Sequence, residues 1–260
     1  MINTLIQPMA VANKAANYGD SEGLVWALWI LFFAIIAISV VTVTIHKKFN
    51  EKNQKYSLKQ SSSQKTGQQI AREILQKNGI QNVKVILGKE GQDHFNPQSG
   101  VISLSPSVYN SSSISAMAIA AHEVGHAIQW HKKSVMLRVR GALTKPVQIA
   151  TAFGQAIFSL GLFFMIFFFS TWLLWTAIAG IVMYAAMGIF QLVTLPVEFD
   201  ASRRAKKNLK EMGIVSTPEE KEGVKVVLNA AAMTYVIAFL SSMISLAFFI
   251  IRFLLLTRRN

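Results

Sequence analysis

The chain has 260 residues, of which 52% are hydrophobic and only 15% are charged, so its composition is that of a membrane protein rather than a soluble domain. It contains no cysteine, which excludes disulfides and cysteine-ligated metal sites. The formal net charge is +13. We interpret this excess as favouring an anionic membrane surface over nucleic acid, because apolar segments flank the basic ones.

The N-terminal part predicts one transmembrane helix. Residues 1–23 are polar and irregular, and no secondary structure is predicted for them. Residues 24–45 are 22 uncharged residues, enough to cross a hydrocarbon core of about 30 Å. They lack the flanks of a cleaved signal peptide. Five lysines between residues 47 and 59 follow, so the positive-inside rule places residues 1–23 outside and residues 46–146 in the cytoplasm.

Residues 46–146 predict an α+β segment. Residues 54–68 are rich in serine, glutamine and lysine and predict a linker. Within them, Thr66 and Gln69 form the T-x-x-Q pattern of a capping box, which opens a short helix that Asn78-Gly79 ends. Residues 83–87 and 101–104 have the composition of strands, and the polar stretch 88–100 is expected to join them as a loop, so that they pair antiparallel.

The central motif of this segment is His122-Glu123-Val124-Gly125-His126, in a helix predicted from Ile114 to Trp130. Residues four apart lie on one face of a helix, so the two imidazoles can bind a single Zn²⁺. Glu123 lies beside them, where it can take a proton from a zinc-activated water. Without a metal, three ionisable groups on an apolar helix would be costly to bury. The motif therefore predicts a zinc-dependent hydrolase.

The next segment predicts a membrane hairpin. Residues 147–193 carry no charge and are about twice as long as one span, so we expect two transmembrane helices with a turn near Ser170-Thr171. Basic residues lie before the hairpin, at 132–145, and after it, at 203–210. Both ends are therefore predicted to be cytoplasmic.

The C-terminal part predicts a second cytoplasmic segment, residues 194–229, and a further span. Thr217-Pro218-Glu219-Glu220 combines an N-cap, a proline at the first helical position and a glutamate at the third, which predicts a helix start. Residues 230–256 are apolar except for Arg252 and predict a last transmembrane helix. An interfacial or re-entrant segment is the alternative, because the terminal arginines oppose the positive-inside rule.

A catalytic zinc site needs a third protein ligand. A third histidine in the x-x-G-x-x-H pattern is excluded, because His131 stands one position too early and the glycine is missing. The first carboxylates after His126 are Glu198 and Asp200, where the hairpin returns to the cytoplasm. Pro196 suits a helix start, so we predict Glu198 as the third ligand. Asp200 is predicted to be a partner of a ligand or a helix-start charge.

Five runs of residues together resemble the YugP family of bacterial membrane-bound neutral zinc metallopeptidases. They are Asp93–Pro97, Val101–Ser105, His122–Gln129, Glu198–Ala205 and Ala230–Tyr235. The family is distantly similar to HtpX-type membrane proteases, in which an aspartate commonly follows the ligand glutamate by four positions. That position is Ser202 here, so the partners of the ligands are expected to differ.

The resemblance implies a zincin-like α+β catalytic domain fused to a multi-pass helical membrane domain of three to four transmembrane helices. It implies a gluzincin-type site, with two histidines and a glutamate, on the cytoplasmic side of the bacterial cytoplasmic membrane. It also implies hydrolysis of peptide bonds. In zincins, the strand ahead of the metal helix commonly pairs with extended substrate, so residues 101–104 are predicted to bind substrate or to be plain core.

Three further residues are weaker candidates for the site. His94 could stabilise an oxyanion or bind substrate, or it could serve only in a turn. Tyr235 could donate a hydrogen bond to the developing oxyanion, or it could anchor at the membrane interface. Arg203 could contribute to the site, or it could face lipid.

The sequence therefore predicts a membrane-embedded zinc metalloendopeptidase. In it, zinc-bound water is deprotonated by Glu123 and attacks the scissile carbonyl. Its predicted partners are a protein or peptide substrate and the lipid bilayer, with no nucleic acid. The alternative is a non-catalytic membrane scaffold or assembly factor stabilised by zinc, against which the intact Glu123 argues. Substrate identity and oligomeric state are not predicted.

Overall fold

The computed structural model of the protein describes residues 3–165 and 171–258. It is mostly helical and contains one three-stranded sheet. The helices are α1 Asn3–Ser57, α2 Gly67–Lys77, α3 Pro106–Tyr109, α4 Ile114–His131, α5 Val135–Met165, α6 Thr171–Glu211 and α7 Pro218–Arg258, and the strands are β1 Lys84–Leu87, β2 His94–Asn96 and β3 Val101–Leu104.

The chain forms two compact units. The first, which we call the mixed unit because it contains the sheet, comprises Thr42–Lys145 and Phe190–Ala238. The second, the helical unit, comprises the described residues of Met1–Val41, Pro146–Ile189 and Phe239–Asn260. All residues predicted for the metal site belong to the mixed unit.

Helix α4 lies at the centre of the mixed unit and packs against α2, α3, β2 and β3. Its Met117 and Val124 are fully buried beside Ile70 of α2 and Ile102 of β3, within one continuous hydrophobic core. Ser113 caps the N-terminus of α4, where its side chain accepts a hydrogen bond from the backbone N–H of Ala116. The predicted motif helix is confirmed, and it ends one residue later than expected.

The predicted antiparallel pairing of the two flanking strands is wrong. The sheet order is β1-β3-β2, in which β1 runs parallel to β3 and β2 runs antiparallel to it. The physical reason is the third strand in the stretch expected to be a loop. Strand β2 and the short turn after it form the hairpin with β3, which leaves β1 only the opposite edge of β3.

The local capping signals are confirmed, and two boundaries differ. Thr66 and Gln69 form both hydrogen bonds of the capping box at the start of α2, and Asn78 caps its end. The predicted linker is shorter than expected, because α1 continues to Ser57. The N-terminal residues predicted to be irregular are helical from Asn3 onwards, which the alanine-rich run at 9–16 favours.

The predicted helix start at Pro196 is wrong. Pro196 lies inside α6, which runs without interruption from Thr171 to Glu211. Val197, Ala201 and Ala205 form a fully buried stripe along this part of the helix. Packing of this stripe keeps the helix continuous although the proline ring removes a backbone hydrogen bond.

Two described helices are long and apolar enough to cross a membrane, Leu174–Glu211 and Pro218–Leu254, and Trp29–Ile45 is a shorter apolar helix. In the helical unit, a Cβ on Gly154 would clash with Met183, and one on Gly180 would clash with Phe249. Small residues therefore allow α5, α6 and α7 to approach closely. Of the turn predicted at Ser170-Thr171, Ser170 lies outside the described residues, and Thr171 is the first residue of α6.

Candidate metal centre

The first part of the site is built by α4 alone. His122 and His126 are one helical turn apart, and their rings lie 4.8 Å apart at an angle of 86°. Both Nε2 atoms face the same acceptor on another helix. This is the arrangement that the four-residue spacing predicts.

The third group comes from α6. Glu198 is buried, and its Oε2 lies 3.1 Å from Nε2 of His122 and 3.7 Å from Nε2 of His126. Ligands bound to zinc at about 2.0–2.2 Å in a tetrahedron lie roughly 3.3–3.6 Å from one another. Two of the three distances are thus close to that geometry, and all three atoms lie within 4.8 Å of one another, so they can converge on a single Zn²⁺. They form a cluster of metal-binding type within the part of the chain that the structure describes.

A glycine lets the two helices approach closely enough for this contact. A Cβ placed on Gly125 would lie 2.5 Å from the backbone oxygen of Ala201. No larger residue fits without moving α4 away from α6. The fourth residue of the motif therefore sets the distance between the histidines and Glu198.

The outer nitrogen of His126 is held by Gln129. Nδ1 of His126 lies 3.0 Å from Oε1 of Gln129, while the Nε2 of Gln129 donates to the Val197 carbonyl at 2.8 Å and to Oδ2 of Asp200 at 2.9 Å. These contacts fix the orientation of the amide, so its oxygen faces His126. Because that oxygen can only accept, Nδ1 carries a proton, and Nε2 is the nitrogen that faces Glu198 and would bind a metal.

Ser202 holds the outer nitrogen of His122. Its Oγ lies 3.2 Å from Nδ1, and the residue is buried. Ser202 is the position at which HtpX-type proteases commonly carry an aspartate, so a hydroxyl stands where they place a carboxylate. Asp200 reaches the site differently, through Gln129 to His126.

A charged residue that sequence analysis did not single out completes the cluster. Nη1 of Arg140, on α5, lies 2.7 Å from Oε1 of Glu198. The two oxygens of the Glu198 carboxylate therefore have different partners. Oε1 contacts the guanidinium, and Oε2 faces the histidines. Arg140 was counted only as one of the basic residues before the hairpin, and no local pattern distinguishes it from them.

The ionised carboxylate of Glu198 and the positive charges around it stabilise one another. Burial alone would favour the neutral carboxyl, but hydrogen bonds from His122 and His126 and the charge of Arg140 outweigh it and hold the pKa of Glu198 far below its ordinary value. Burial disfavours protonation of His126, but Glu198 and Glu123 outweigh it and raise the pKa of that imidazole. Glu198 is thus ionised, the form that binds cations.

Comparison with known proteins identifies the family of the chain. The model of the family described as "Putative neutral zinc metallopeptidase" matches residues 30–254, most of the chain. The chain belongs to this family. The resemblance inferred from the five runs of residues is therefore confirmed, and zinc is the metal that the family name gives.

One curated member of the family is the "Putative membrane protease YugP" of Bacillus subtilis (strain 168). It is 37% identical to the chain over 228 residues, which cover 86% of this chain and 97% of the relative. No solved structure matches the chain.

In the present chain, the candidate site lines a cavity of about 390 Å³. The candidate ligands and the buried Glu123 contribute to one wall, and residues of β2, α5 and α7 contribute to the others. Asp93 also lines the cavity and accepts hydrogen bonds from the backbone and hydroxyl of Ser105. Burial outweighs these bonds and raises the pKa of Asp93.

The weaker candidates divide into two groups. His94 and Tyr235 both line the cavity with Glu123 and the ligands. The side chain of Arg203 is 78% exposed, pairs with Asp200 and is absent from the described lining of the cavity. The structure therefore places His94 and Tyr235 where substrate could reach them, and Arg203 at the outer side of α6.

Proposed function

We propose that the chain is a membrane-embedded zinc metalloendopeptidase that hydrolyses peptide bonds in protein or peptide substrates. The observation that carries this proposal is the convergence of two imidazole Nε2 atoms and one carboxylate Oε2 in a cavity that Glu123 also lines. The name of the relative, "Putative membrane protease YugP", supports the same activity.

His122, His126 and Glu198 would hold the ion. When bound, Zn²⁺ supplies Lewis-acid activation of a water molecule and of the scissile carbonyl. Gln129 keeps Nδ1 of His126 protonated and the ring in place, and Ser202 holds the orientation of His122. Arg140 balances the charge of Glu198 on the side away from the histidines.

Glu123 is the proposed general base. Its carboxylate takes the proton of the attacking water and then delivers it to the nitrogen of the breaking C–N bond, so the leaving group departs as an amine. His94 and Tyr235 line the same cavity and are candidates to bind substrate or to donate to the carbonyl oxygen as negative charge develops there.

The sheet suggests where the substrate backbone binds. The sequence predicts that residues 101–104 either bind substrate or are plain core, and among the described strands β3 is flanked by β1 and β2 and has no free edge. Strand β2 is an edge strand of the sheet, on the side of β3 opposite to β1, and its His94 and Phe95 line the cavity. We therefore assign the addition of an extended substrate strand to β2.

The membrane arrangement is part of the proposal. Residues 24–45, the hairpin 147–193 and residues 230–256 would span the bacterial cytoplasmic membrane. The catalytic parts 46–146 and 194–229 would face the cytoplasm, and residues 1–23 would lie outside. Two long apolar helices and the basic flanks of the apolar segments support this arrangement.

The deciding experiment compares the wild type with Glu123→Gln, both purified in detergent, for zinc content and for cleavage of casein. Because the substitution keeps the ligands and removes the base, both proteins should contain zinc. Cleavage should fall by at least about 100-fold in the variant.

The alternative function, a non-catalytic membrane scaffold or assembly factor stabilised by zinc, predicts a different result. Both proteins would then contain zinc and neither would cleave any peptide of a broad library. Equal cleavage by both would rule out Glu123 as the base, and the absence of zinc from both would overturn the metal site itself.

A further inference from the structure

The stretch that precedes the first helix of the predicted hairpin has two different sides. We call residues 132–145, which comprise the first turns of α5 and the residues before them, the pre-span segment. Its Leu137, Arg140 and Thr144 line the catalytic cavity. This spacing of three and four residues places them on one face of the helix.

The other side of the pre-span segment is apolar and exposed. Val135 is 64% exposed, Met136 51% and Val139 40%. At 100° per residue these three side chains centre about 130° away from the cavity face. A contiguous exposed apolar face of this kind marks a surface that meets a partner or a membrane.

The positive charges around this face indicate which kind of partner it fits. Lys132, Lys133, Arg138 and Lys145 are all exposed, and the sequence contains no acidic residue between Glu123 and Glu198. Among the described residues, none of these four cations forms an ion pair with a carboxylate, while Arg138 makes a long hydrogen bond of 3.5 Å to the Lys133 carbonyl. Apolar side chains flanked by unpaired cations are typical of a helix at an anionic lipid interface.

We propose that the pre-span segment lies in the headgroup layer of an anionic membrane, with Val135, Met136 and Val139 in contact with acyl chains. Its continuity with the membrane segment supports lipid over a protein as occupant, because α5 continues directly into the uncharged residues from 147 onwards. Pro146 lies inside α5 at this junction.

This inference goes beyond the proposed catalytic activity, and it rests on the membrane arrangement in the proposed function. Its consequence for the site is that one helix contacts lipid with one face and lines the cavity with the other. Anionic lipid therefore stabilises the position of a cavity wall, and peptide segments that lie near the membrane surface are the substrates closest to the cavity.

The absence of cysteine makes a direct test straightforward, since any introduced cysteine is unique. Val135→Cys and Val139→Cys would be compared with Gln76→Cys, an exposed position on α2. Each full-length variant is placed in nanodiscs of phosphatidylcholine alone or of an equal mixture with phosphatidylglycerol. The rate of labelling by a water-soluble maleimide is then measured.

We expect phosphatidylglycerol to slow labelling at positions 135 and 139 and to leave position 76 unchanged. In the Val139→Cys background, changing Lys132, Lys133 and Arg138 to glutamine should restore fast labelling. Each removed cation should weaken lipid contact by roughly fivefold. Labelling at 135 and 139 as fast as at 76 in both lipids would overturn the proposal. So would protection that depends on protein concentration, since this would indicate a second copy as the occupant.

Discussion

Two segments of the chain share the pattern Pro-x-Glu and fold differently. At Pro218 the pattern begins α7, and Glu220 bonds to the backbone of Thr217 as the third residue of a capping box. At Pro196 the same pattern lies in the middle of α6, and Glu198 faces the two histidines of α4. One glutamate therefore organises a helix end, and the other organises the candidate metal centre.

The residue before each proline explains the difference. Thr217 supplies a side-chain oxygen that accepts the N–H of Glu220, so the chain can begin a helix there. Leu195 has no such oxygen, so nothing at Pro196 satisfies the free N–H groups of a new helix start. A proline alone does not decide a helix boundary, and the predictions below test whether the two glutamates are as different as their surroundings suggest.

The largest expected effect is that of Glu198→Ala. The variant should lose Zn²⁺ affinity by more than about 100-fold, because changing even the partners of metal ligands costs 10–100-fold. Zinc binding is measured by competition with a chromogenic chelator. The matched control is Glu220→Ala, which should keep its zinc affinity. Equal losses in the two variants would show that zinc loss reflects general misfolding.

The next largest effect is expected for Arg140→Gln. Without the guanidinium, Oε1 of Glu198 loses its partner and the carboxylate is free to turn. Zinc affinity should therefore fall by about 10–100-fold. Arg140→Lys should recover part of it, because lysine keeps the charge but not the planar fork.

Arg138→Gln is the control for Arg140, because it removes an exposed positive charge two residues away on the same helix. It should leave zinc affinity unchanged. Tighter zinc binding by Arg140→Gln than by the wild type would contradict the positioning role, because Arg140 would then act mainly as a cation that repels the metal.

The features that the sequence predicts correctly are mainly those whose interacting residues lie close together along the chain. The two histidines and Glu123 lie within five residues of one helix, so helical spacing alone placed them together. The capping boxes at Thr66 and Thr217 are equally local, and both form as expected. Glu198 was inferred over 72 residues because it is the first carboxylate after the hairpin, an argument from exclusion rather than from geometry.

The features that were missed depend on packing between elements. Arg140 meets Glu198 only because α5 lies beside α6 in the mixed unit, and no spacing in the sequence indicates that contact. The parallel pairing of β1 and β3 depends on the short strand β2, which lies in the polar stretch that the sequence predicts as a loop. Gln129 could have been found, since it lies three residues after His126 on the same helical face.

The effect expected for Gln129→Leu is smaller than that for Arg140→Gln. Leucine has a similar size but cannot form hydrogen bonds with His126, Val197 or Asp200. The substitution therefore removes the contact that orients the His126 imidazole and leaves His122 unchanged. We expect zinc affinity to fall by roughly tenfold. Asp200→Asn, which keeps an acceptor for Gln129, should have less effect. A larger loss in Asp200→Asn would show that the charge of Asp200, not the amide, sets the site.

The smallest effect on the site, none, is expected for Glu220→Gln, which instead changes stability in acid. Burial is outweighed by hydrogen bonds from Thr217, Ser62 and Ser216, so the pKa of Glu220 lies far below its ordinary value. A depressed pKa in the folded state contributes stability above the unfolded pKa of about 4.3, and this contribution is lost as the pH falls below it.

The wild type should therefore lose stability progressively as the pH falls below about 5. The variant should be less stable by about 2 kcal/mol at pH 7 and less dependent on pH in that range. Thermal unfolding from pH 7 to about pH 2 measures both, with the exposed neighbour Glu219→Gln as control. A variant as pH-dependent as the wild type would show that the acid sensitivity arises at other carboxylates, and the contrast between the two Pro-x-Glu segments would then rest on Glu198 alone.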